Sequence, residues 1–523
     1  MDFLLFAILL TTSLVLCLYW ISKKAHSFFE NLGVPHLRPK FILGDVTSVI
    51  LLRKSLTNLS LEIYKQLEPH KFGGAYAFLK PVLFIRDPEL LRNIFTQDFA
   101  HFNDRGLDID MEVEPLSHNL LTMKANDEWK FLRTKLATIF TPAKLKMTFP
   151  LIIKCGEKLT QVLDRIPPDE SFDIKDFSMR YTIDVIGNCV FGLDINSLEN
   201  PKSEFRLMGS NVMKFRFATL VRSLQMKLPS FLMRLLNMTF VDLRTQNYFR
   251  DLLQKTVEYR QQNNIIRDDF LDLLIALKNT TPVKESHNTD DPEKSLDGAN
   301  INEPKTDTKF TDQSLIAQSF LFFVAGFETS STALCYAFLE LSLNPDIQDK
   351  VRQEVISVLS TNGGQITYDA LKQMTYLDLV ILETLRKYPP VGSITRKSTQ
   401  DYKIPNTDII TPKDTFTVIP VYGIHSDEKY YPNAQQFQPE RFTEEEKSKR
   451  PYFAYLPFGA GPRHCIGSSF AKMTIKIALV HAFRDLSFQV SPQMKFPVEF
   501  NKNFGFLTPS RGVLLAKNEP RKF

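Results

Sequence analysis

The loop Phe458-Gly459-Ala460-Gly461-Pro462-Arg463-His464-Cys465-Ile466-Gly467 stands immediately before a helical pattern that begins at Ser468. Its glycines permit close or unusual backbone paths that other residues would block. The N-terminus of the following helix favours an anion, and the thiolate is the form of cysteine that binds a metal. The loop therefore predicts that Cys465 is a thiolate ligand, although a lone cysteine is more often a buried apolar residue.

The other cysteines give no competing site. They stand at positions 17, 155, 189 and 335, so the total is odd and no two have CxxC spacing. A disulfide framework or a cysteine-rich zinc site is not expected, and a reducing compartment fits best. His464 is predicted to be a surface or hydrogen-bonding residue, because adjacent side chains cannot both reach one axial position.

A long apolar helix is predicted upstream of the loop. It begins with Thr311 as N-cap and Asp312 in its first turn, and it runs to Asn344-Pro345, about 48 Å at 1.5 Å per residue. Such a helix should cross the middle of a large domain. Midway along it lies Ala325-Gly326-Phe327-Glu328-Thr329, where Gly326 marks either a close approach to the backbone or a packing position.

A further helical motif, Glu383-Thr384-Leu385-Arg386, precedes the cysteine loop. The spacing i,i+3 places Glu383 and Arg386 on one helix face, where they can pair. A solvated surface pair is the alternative.

These motifs, followed by Pro439-Glu440-Arg441-Phe442, stand in the order found in the cytochrome P-450 family, which the chain resembles over essentially its whole length. The resemblance implies a mainly α fold with small β-sheets (α+β). It implies one large catalytic domain with a long central helix over the haem. It also implies that Cys465 binds the iron of a haem b.

The resemblance assigns roles to individual residues. The implied haem-binding residues are Cys465, Phe458, Gly459, Arg463, Gly467, Trp129, Arg133, Arg396 and Arg105, and the arginines with Trp129 meet the propionates. The implied oxygen-activating residues are Ala325, Gly326, Glu328 and Thr329. Glu383, Arg386 and Arg441 form an implied structural triad that fixes the cysteine loop. The expected substrate contacts are Val391, Gly392, Ser393, Phe215 and Phe217.

The implied activity is monooxygenation of lipophilic small molecules with dioxygen as co-substrate. The chain has no glycine fingerprint for a nucleotide, so electrons from NADPH are expected through a separate reductase, with a cytochrome b-type donor as a second candidate. Basic residues Lys130, Lys135 and Arg463 are expected to meet an acidic reductase. With 64 basic and 59 acidic residues the surface is mixed, and no nucleic acid is expected.

Two other functions remain open at this point. A haem-thiolate isomerase or lyase would rearrange a peroxide without a reductase, and it would not need Glu328 and Thr329 for proton delivery. A non-catalytic haem sensor or carrier would form no product. Segments Phe102–Gly106 and Arg267–Leu274 resemble microsomal members of the insect xenobiotic-metabolising branch, which favours detoxification or turnover of endogenous lipophiles.

The N-terminus predicts a membrane anchor. Phe3–Ile21 is almost entirely apolar, uncharged and long enough to span a bilayer, and Lys23 and Lys24 follow at once. The positive-inside rule places these lysines in the cytosol. We expect an anchor over residues 1–22, a basic, proline-containing linker over 23–44 and a cytosolic catalytic domain over 45–523, at the endoplasmic reticulum membrane. A cleaved signal peptide is the alternative.

Local patterns predict the remaining organisation. The polar, aromatic-free segment 281–309 is expected to be a flexible surface loop. Two strands, over 75–79 and 82–86, are expected to join through Lys80-Pro81 as a hairpin-like pair. Helical stops are expected at Pro142, Pro150, Pro167–Pro168, Pro201 and Pro229.

Overall fold

A computed structural model describes residues 2–107, 109, 111–212, 231, 239–279, 310–502 and 505–518. The segment 281–309, Pro229, and the expected substrate contacts Phe215 and Phe217 lie outside the described residues. Elsewhere helices dominate and the sheets are small, which confirms the predicted fold class.

The α-helices of the described residues are, in chain order, α1 (Asp2–His26), α2 (Phe28–Asn31), α3 (Thr47–Ile50), α4 (Leu56–Gln66), α5 (Pro88–Arg92), α6 (Asp127–Ala137), α7 (Pro142–Asp164), α8 (Ile174–Ile186), α9 (Glu204–Val212), α10 (Leu243–Gln262), α11 (Phe270–Asn279), α12 (Asp312–Leu343), α13 (Pro345–Thr361), α14 (Tyr368–Gln373), α15 (Thr375–Lys387), α16 (Val421–His425), α17 (Glu444–Ser448) and α18 (Ser468–Asp485). The long helix α12 is the predicted central helix, and the side chain of its N-cap, Thr311, accepts a hydrogen bond from the backbone N–H of Ser314. It packs most extensively against α8 and also contacts α18.

The strands are β1 (Phe72–Ala77), β2 (Lys80–Ile85), β3 (Ser171–Asp173), β4 (Ile394–Lys397), β5 (Tyr402–Lys403), β6 (Ile410–Thr411), β7 (Phe416–Ile419), β8 (Phe488–Val490) and β9 (Leu514–Lys517). The largest sheet has the order β1-β2-β7-β4, with β2 and β7 parallel and the other pairs antiparallel. A second sheet has the order β3-β9-β8, and β5 pairs with β6.

Two local predictions about prolines are wrong. The β1–β2 turn lies at Phe78-Leu79, and Pro81 lies inside β2 opposite Tyr76. This is tolerated because the parallel ladder to β7 begins only at Val82, so no N–H is required of Pro81. Pro150 likewise does not end a helix but lies inside α7. It is exposed there, where water can reach the carbonyl group that the proline leaves unpaired.

The apolar N-terminal helix α1 projects from the rest of the protein. The span Phe3–His26 is long and apolar enough to cross a membrane, and none of its most apolar 18-residue window is buried. The central helix is also long and apolar enough to cross a membrane, but 78% of its most apolar window is buried inside the protein. The last turn of α1 contacts the first sheet, since the hydroxyl of Tyr76 in β1 donates to His26 O at 2.8 Å. Residues after α1 pack there too, and Phe29 is fully buried.

The helical core contains an unpaired imidazole, that of His481 in α18. The ring is 2% exposed, and neither nitrogen hydrogen-bonds to a described residue. It lies so close to α7 that a Cβ atom on Gly156 would be 2.5 Å from its Cδ2. Burial, reinforced by the charge of Arg484, lowers the pKa of His481 to about 4. The folded state therefore disfavours the imidazolium form.

We expect this imidazole to make stability depend on pH. The pKa of about 4 in the folded state lies below the unfolded value of roughly 6.5, so stability is full above pH 6.5 and falls as pH drops towards 4. Between pH 7 and pH 5 the loss should be about 2 kcal/mol from this residue. His481→Leu loses no hydrogen bond and should remove that part of the difference in urea unfolding between the two pH values. An unchanged difference in the His481→Leu variant would mean that this imidazole does not cause the pH dependence.

Candidate active site

The cysteine loop adopts the tight path that its glycines predict. The backbone N–H of Cys465 donates to Phe458 O at 2.9 Å, and that of His464 donates to Gly461 O at 2.8 Å. Gly461 has φ +69°, and a Cβ atom there would lie 1.9 Å from Phe95 O. No other residue fits at that position without moving the backbone. The loop therefore delivers Cys465 in a fixed position, one turn before α18 begins at Ser468.

The environment of Cys465 differs from that of the buried cysteines at positions 155, 189 and 335. Desolvation by the protein around its sulfur raises the pKa of the Cys465 thiol, but the Gly467 N–H and the charges of Arg133 and Arg105 oppose this rise. Burial raises the pKa of Cys155 to about 12, with Asp184 adding to the rise. Cys465 also has an exposed side chain, whereas Cys155 is buried. Of these thiols, Cys465 is the one placed to act as a thiolate ligand.

Three predicted propionate ligands, Arg105, Arg396 and Arg463, gather around the loop. Arg105 donates to Arg463 O at 3.1 Å, and Arg463 donates to Met123 O at 2.6 Å. Burial and then a neighbouring arginine lower the pKa of Arg105 to about 10 and of Arg463 to about 9. The same causes lower the pKa of Arg396 well below its usual value. An anion bound among these three arginines would relieve their mutual repulsion.

The unpaired atoms of this cluster also point to an anionic ligand. Nε of Arg105, Arg396 and Arg463, together with Nη1 of Arg463, is buried without a hydrogen bond. None of the three guanidinium groups forms a salt bridge with a carboxylate of the described residues. Buried cationic donors without partners are costly, and a carboxylate ligand would satisfy them.

Trp129 and Arg133 lie beside the cluster but already have protein partners. The indole N–H of Trp129 donates to Leu120 O at 3.2 Å, and the guanidinium of Arg463 lies 4.6 Å from the centroid of its ring. Arg133 Nη2 lies 3.1 Å from His464 Nδ1. His464 is thus the hydrogen-bonding residue that the sequence analysis expected. A direct contact of Trp129 or Arg133 with a propionate stays a prediction.

The central helix α12 has an accessible surface at Ala325 and Thr329. Ala325 is exposed and Thr329 partly exposed in a helix that is otherwise largely buried. Thr329 Oγ1 donates to Ala325 O at 2.6 Å, the i−4 bond that can open a helical groove. A Cβ atom on Gly326 would lie 2.6 Å from Ile186 Cδ1 of α8. The glycine lets the two helices pack closely at this point, and an approach of dioxygen there stays a prediction.

Glu328, the predicted acid, is held by a residue that the sequence analysis missed. Its carboxylate pairs with Lys175 of α8 at 3.0 Å, and both side chains are about nine-tenths buried. Lys175 lies on the buried face of α8, three and seven residues before Ser178 and Thr182. A lysine at such a position on an amphipathic helix was the available signal.

The predicted triad is assembled. Arg386 binds Glu383 through two bonds of 2.7 and 2.8 Å, and Arg441 Nε donates to the same carboxylate at 3.1 Å. Arg386 also donates to His425 O at 3.0 Å, and the backbone N–H of Gln438 donates to Glu383 at 3.1 Å. The pair is fully buried, so the alternative of a solvated pair is wrong.

Most of the expected substrate-contact residues that the structure describes lie against other residues of the protein. Ser393 Oγ lies 3.0 Å from Ser60 Oγ, and a Cβ atom on Gly392 would lie 2.4 Å from Thr57 Cγ2 in α4. Val391 is partly exposed and bridges to Phe506. Contacts of all three with a substrate stay predictions.

The site residues fit the haem that the resemblance implies. Cys465 offers one sulfur donor, and the unpaired guanidinium atoms offer hydrogen-bond donors to carboxylates such as the haem propionates. Within the described residues no group of three or more His, Cys, Asp or Glu side chains could hold a metal ion. A haem needs only one axial donor of this kind from the protein, because its macrocycle holds the iron otherwise.

Comparisons with known proteins agree with the geometry. The family model "Cytochrome P450" matches residues 68–516. The chain is 34% identical to cytochrome P450 6k1 of Blattella germanica over 510 residues, which cover 98% of the chain and 96% of that protein. It is 37% identical to probable cytochrome P450 6a13 of Drosophila melanogaster over 504 residues, 96% of each. It is 36% identical to cytochrome P450 9e2 of B. germanica over 524 residues, covering 97% of the chain and 96% of that protein.

Proposed function

The chain belongs to the cytochrome P450 family of haem-thiolate monooxygenases, and we propose that it inserts one oxygen atom of dioxygen into lipophilic small molecules, using electrons that a separate reductase takes from NADPH. The reaction balances as substrate RH, dioxygen, NADPH and a proton giving ROH, water and NADP⁺. The alternatives of a peroxide isomerase and a haem carrier require no such electron supply.

The chain's own residues support this proposal by what they bind and where they hold protons. Bound haem would supply the iron chemistry that activates dioxygen. Cys465 would hold the iron, and Arg105, Arg396 and Arg463 would hold the propionates. Thr329 carries a hydroxyl on an accessible part of the central helix, and the buried acid Glu328 stands next to it. A haem carrier has no use for this pair of proton-handling groups, so their presence beside accessible helix surface carries the proposal.

The decisive experiment reconstitutes the purified haem protein with an NADPH-cytochrome reductase and an apolar substrate library. Substrates are first selected by spectral titration, and turnover is then followed under ¹⁸O-labelled dioxygen. We expect product with one labelled oxygen atom only when NADPH and reductase are both present. Rearrangement of a supplied peroxide without them would instead indicate an isomerase or lyase. Absence of any product with ligands that bind would indicate a carrier.

The reductase is proposed to dock on the surface of α6 that carries Lys130 and Lys135, where Lys130 also pairs with Asp127 at 3.3 Å. Lys130 and Lys135 are partly exposed there. Arg463, which the sequence analysis placed on this surface, is 3% exposed and is excluded from it. Steering by exposed charges speeds association and weakens with salt.

The variant Lys130→Glu/Lys135→Glu is therefore expected to slow electron transfer from reductase about tenfold at low ionic strength. The rate should also depend less on salt, as stopped-flow reduction would record. The matched control is Lys403→Glu, which reverses the charge of an exposed residue in β5. It should change neither the rate of electron transfer nor its salt dependence. An unchanged salt dependence in the α6 variant would remove this face from the docking model.

The proposed location is the endoplasmic reticulum membrane, with α1 as a single anchor and the catalytic domain in the cytosol. Lys23 and Lys24, exposed at the end of α1, support this orientation. Lipophilic substrates concentrate in a bilayer, and a membrane-held enzyme meets them there. Xenobiotics such as plant toxins or insecticides, and endogenous lipids, are the proposed substrate classes.

A further inference from the structure

The ion pair between Lys175 and Glu328 joins three parts of the protein. Lys175 Nζ donates to Glu328 Oε1 at 3.0 Å, to Ser331 Oγ at 2.7 Å and to Thr332 Oγ1 at 3.0 Å. Its three N–H groups are thus all used inside the protein. Thr508, from the segment before β9, also donates to Glu328 Oε1, at 3.1 Å. The carboxylate is therefore fixed by α8, by its own helix α12 and by the C-terminal segment.

The two carboxylate oxygens of Glu328 are not equivalent. Oε1 accepts hydrogen bonds from the ammonium of Lys175 and from the hydroxyls of Thr332 and Thr508, and the bond from Thr332 is 3.4 Å long. Oε2 makes no hydrogen bond to any residue that the structure describes, and Glu328 keeps 6% of its surface accessible. When hydrogen-bond donors fully occupy one oxygen of a carboxylate, the other oxygen is the one that can exchange protons.

We propose that Lys175 is a positioning residue for proton delivery: it immobilises Oε1 of Glu328, so that Oε2 alone exchanges protons with water that reaches Thr329. This inference rests on the proposed monooxygenase function, which consumes two protons for each oxygen atom inserted. The other charged or titratable groups near the pair are Asp173, the N-cap of α8, and the buried Cys335. Asp173 is occupied by the backbone N–H groups of Lys175 and Val513.

Loss of Lys175 should leave a buried carboxylate without its cation. Glu328 would then turn towards other donors, and Oε2 would no longer point consistently to the same water. Proton delivery would slow, while substrate binding and electron supply would be unaffected. Electrons from NADPH would consequently be lost to reduced oxygen species instead of product.

The ion pair is tested first by thermal unfolding, which needs no turnover. Lys175→Met should lower Tm by several degrees because it removes one partner of a buried pair. The double variant Lys175→Met/Glu328→Gln should recover part of that loss, since the residue at position 328 is then uncharged and no buried carboxylate is left without a cation. A double variant whose Tm equals the sum of the two single effects would show that the two residues are not coupled, and would overturn the proposal.

The role in proton delivery is tested by the yield of product per NADPH consumed and by the solvent deuterium isotope effect on turnover. We expect Lys175→Met to lower the product yield about tenfold and to increase the isotope effect, with substrate affinity within about twofold of wild type. Lys175→Arg, which keeps the charge and the donors, should restore most of the yield. If Lys175→Met fails to hold haem, Lys175→Gln is measured against the same expectations.

The matched control is Lys476→Met. Lys476 lies in α18, its side chain is 7% exposed, and it pairs with Asp378 at 2.7 Å. This variant should lose stability without any change in yield or isotope effect. Equal losses of yield in the Lys175 and Lys476 variants, or an unchanged isotope effect in Lys175→Met, would overturn the proposal. Absence of NADPH-dependent product in the wild-type protein would instead reject the proposed function itself, whereas the unfolding test of the pair would still stand.

Discussion

Cys465→Ser is expected to abolish the strongly red-shifted Soret band of the reduced, carbon-monoxide-bound protein and to lower monooxygenase turnover at least a hundredfold. A serine hydroxyl does not ionise near neutral pH, whereas a cysteine thiol loses its proton when it binds a metal. Burial raises the pKa of the Cys465 thiol, and the Gly467 N–H and the charges of Arg133 and Arg105 oppose that rise. The thiolate is what pushes electron density to a haem iron and favours cleavage of the O–O bond. The backbone bond from residue 465 to Phe458 is independent of the side chain, so the loop should stay folded.

The other cysteines provide the controls for this result. Cys17→Ser changes an exposed residue of α1, and Cys155→Ala changes a buried thiol of α7. Cys155→Ala should cost stability through the cavity it leaves, by about 1 kcal/mol. Both variants should keep the red-shifted band. A Cys465→Ser protein that binds haem and still shows the band would mean that another residue ligates the iron.

The tight turn of the cysteine loop and the pair of Glu383 with Arg386 could be predicted from sequence, because glycines at a turn and the i,i+3 spacing of a helix are local features. Arg441 was implied only by the family resemblance, and the contact of Gly461 with Phe95 O joins distant parts of the chain. The long central helix likewise follows from its N-cap Thr311 and an uninterrupted apolar run.

The partners of these motifs could not be predicted, because they come from distant parts of the chain. Lys175 is 153 residues from Glu328, and no local pattern states which helix α12 will contact. The same limit applies to Gly326, whose packing against Ile186 depends on how α8 crosses the central helix. Pro150 shows a different limit, since a proline inside a helix is tolerated where solvent reaches the freed carbonyl group. Tertiary contacts decide each of these positions.

Glu383→Gln is expected to destabilise the protein by about 3–5 kcal/mol and to lower the fraction of purified protein that contains haem. The substitution keeps the shape of the side chain but leaves Arg386, 1% exposed, and Arg441, 8% exposed, without an anion. Arg386 also donates to His425 O, and the second imidazole nitrogen of His425 accepts from the backbone N–H of Leu456. The triad is thus connected to the segment that leads into the cysteine loop.

Glu440→Gln separates this buried effect from the general loss of an acidic charge. Glu440 precedes Arg441 and pairs with Lys350 at 3.3 Å, and both side chains are more than half exposed. An exposed pair of this kind contributes at most about 1 kcal/mol, so this control should unfold in urea almost as the wild type does and keep its haem. Equal midpoints for the two variants would mean that the triad is not needed for stability. A destabilised Glu383→Gln protein with full haem content would mean that the triad stabilises the fold without positioning the loop. The combination that we expect, low stability with low haem content, follows only if the buried carboxylate holds both arginines and, through His425, the approach to Cys465.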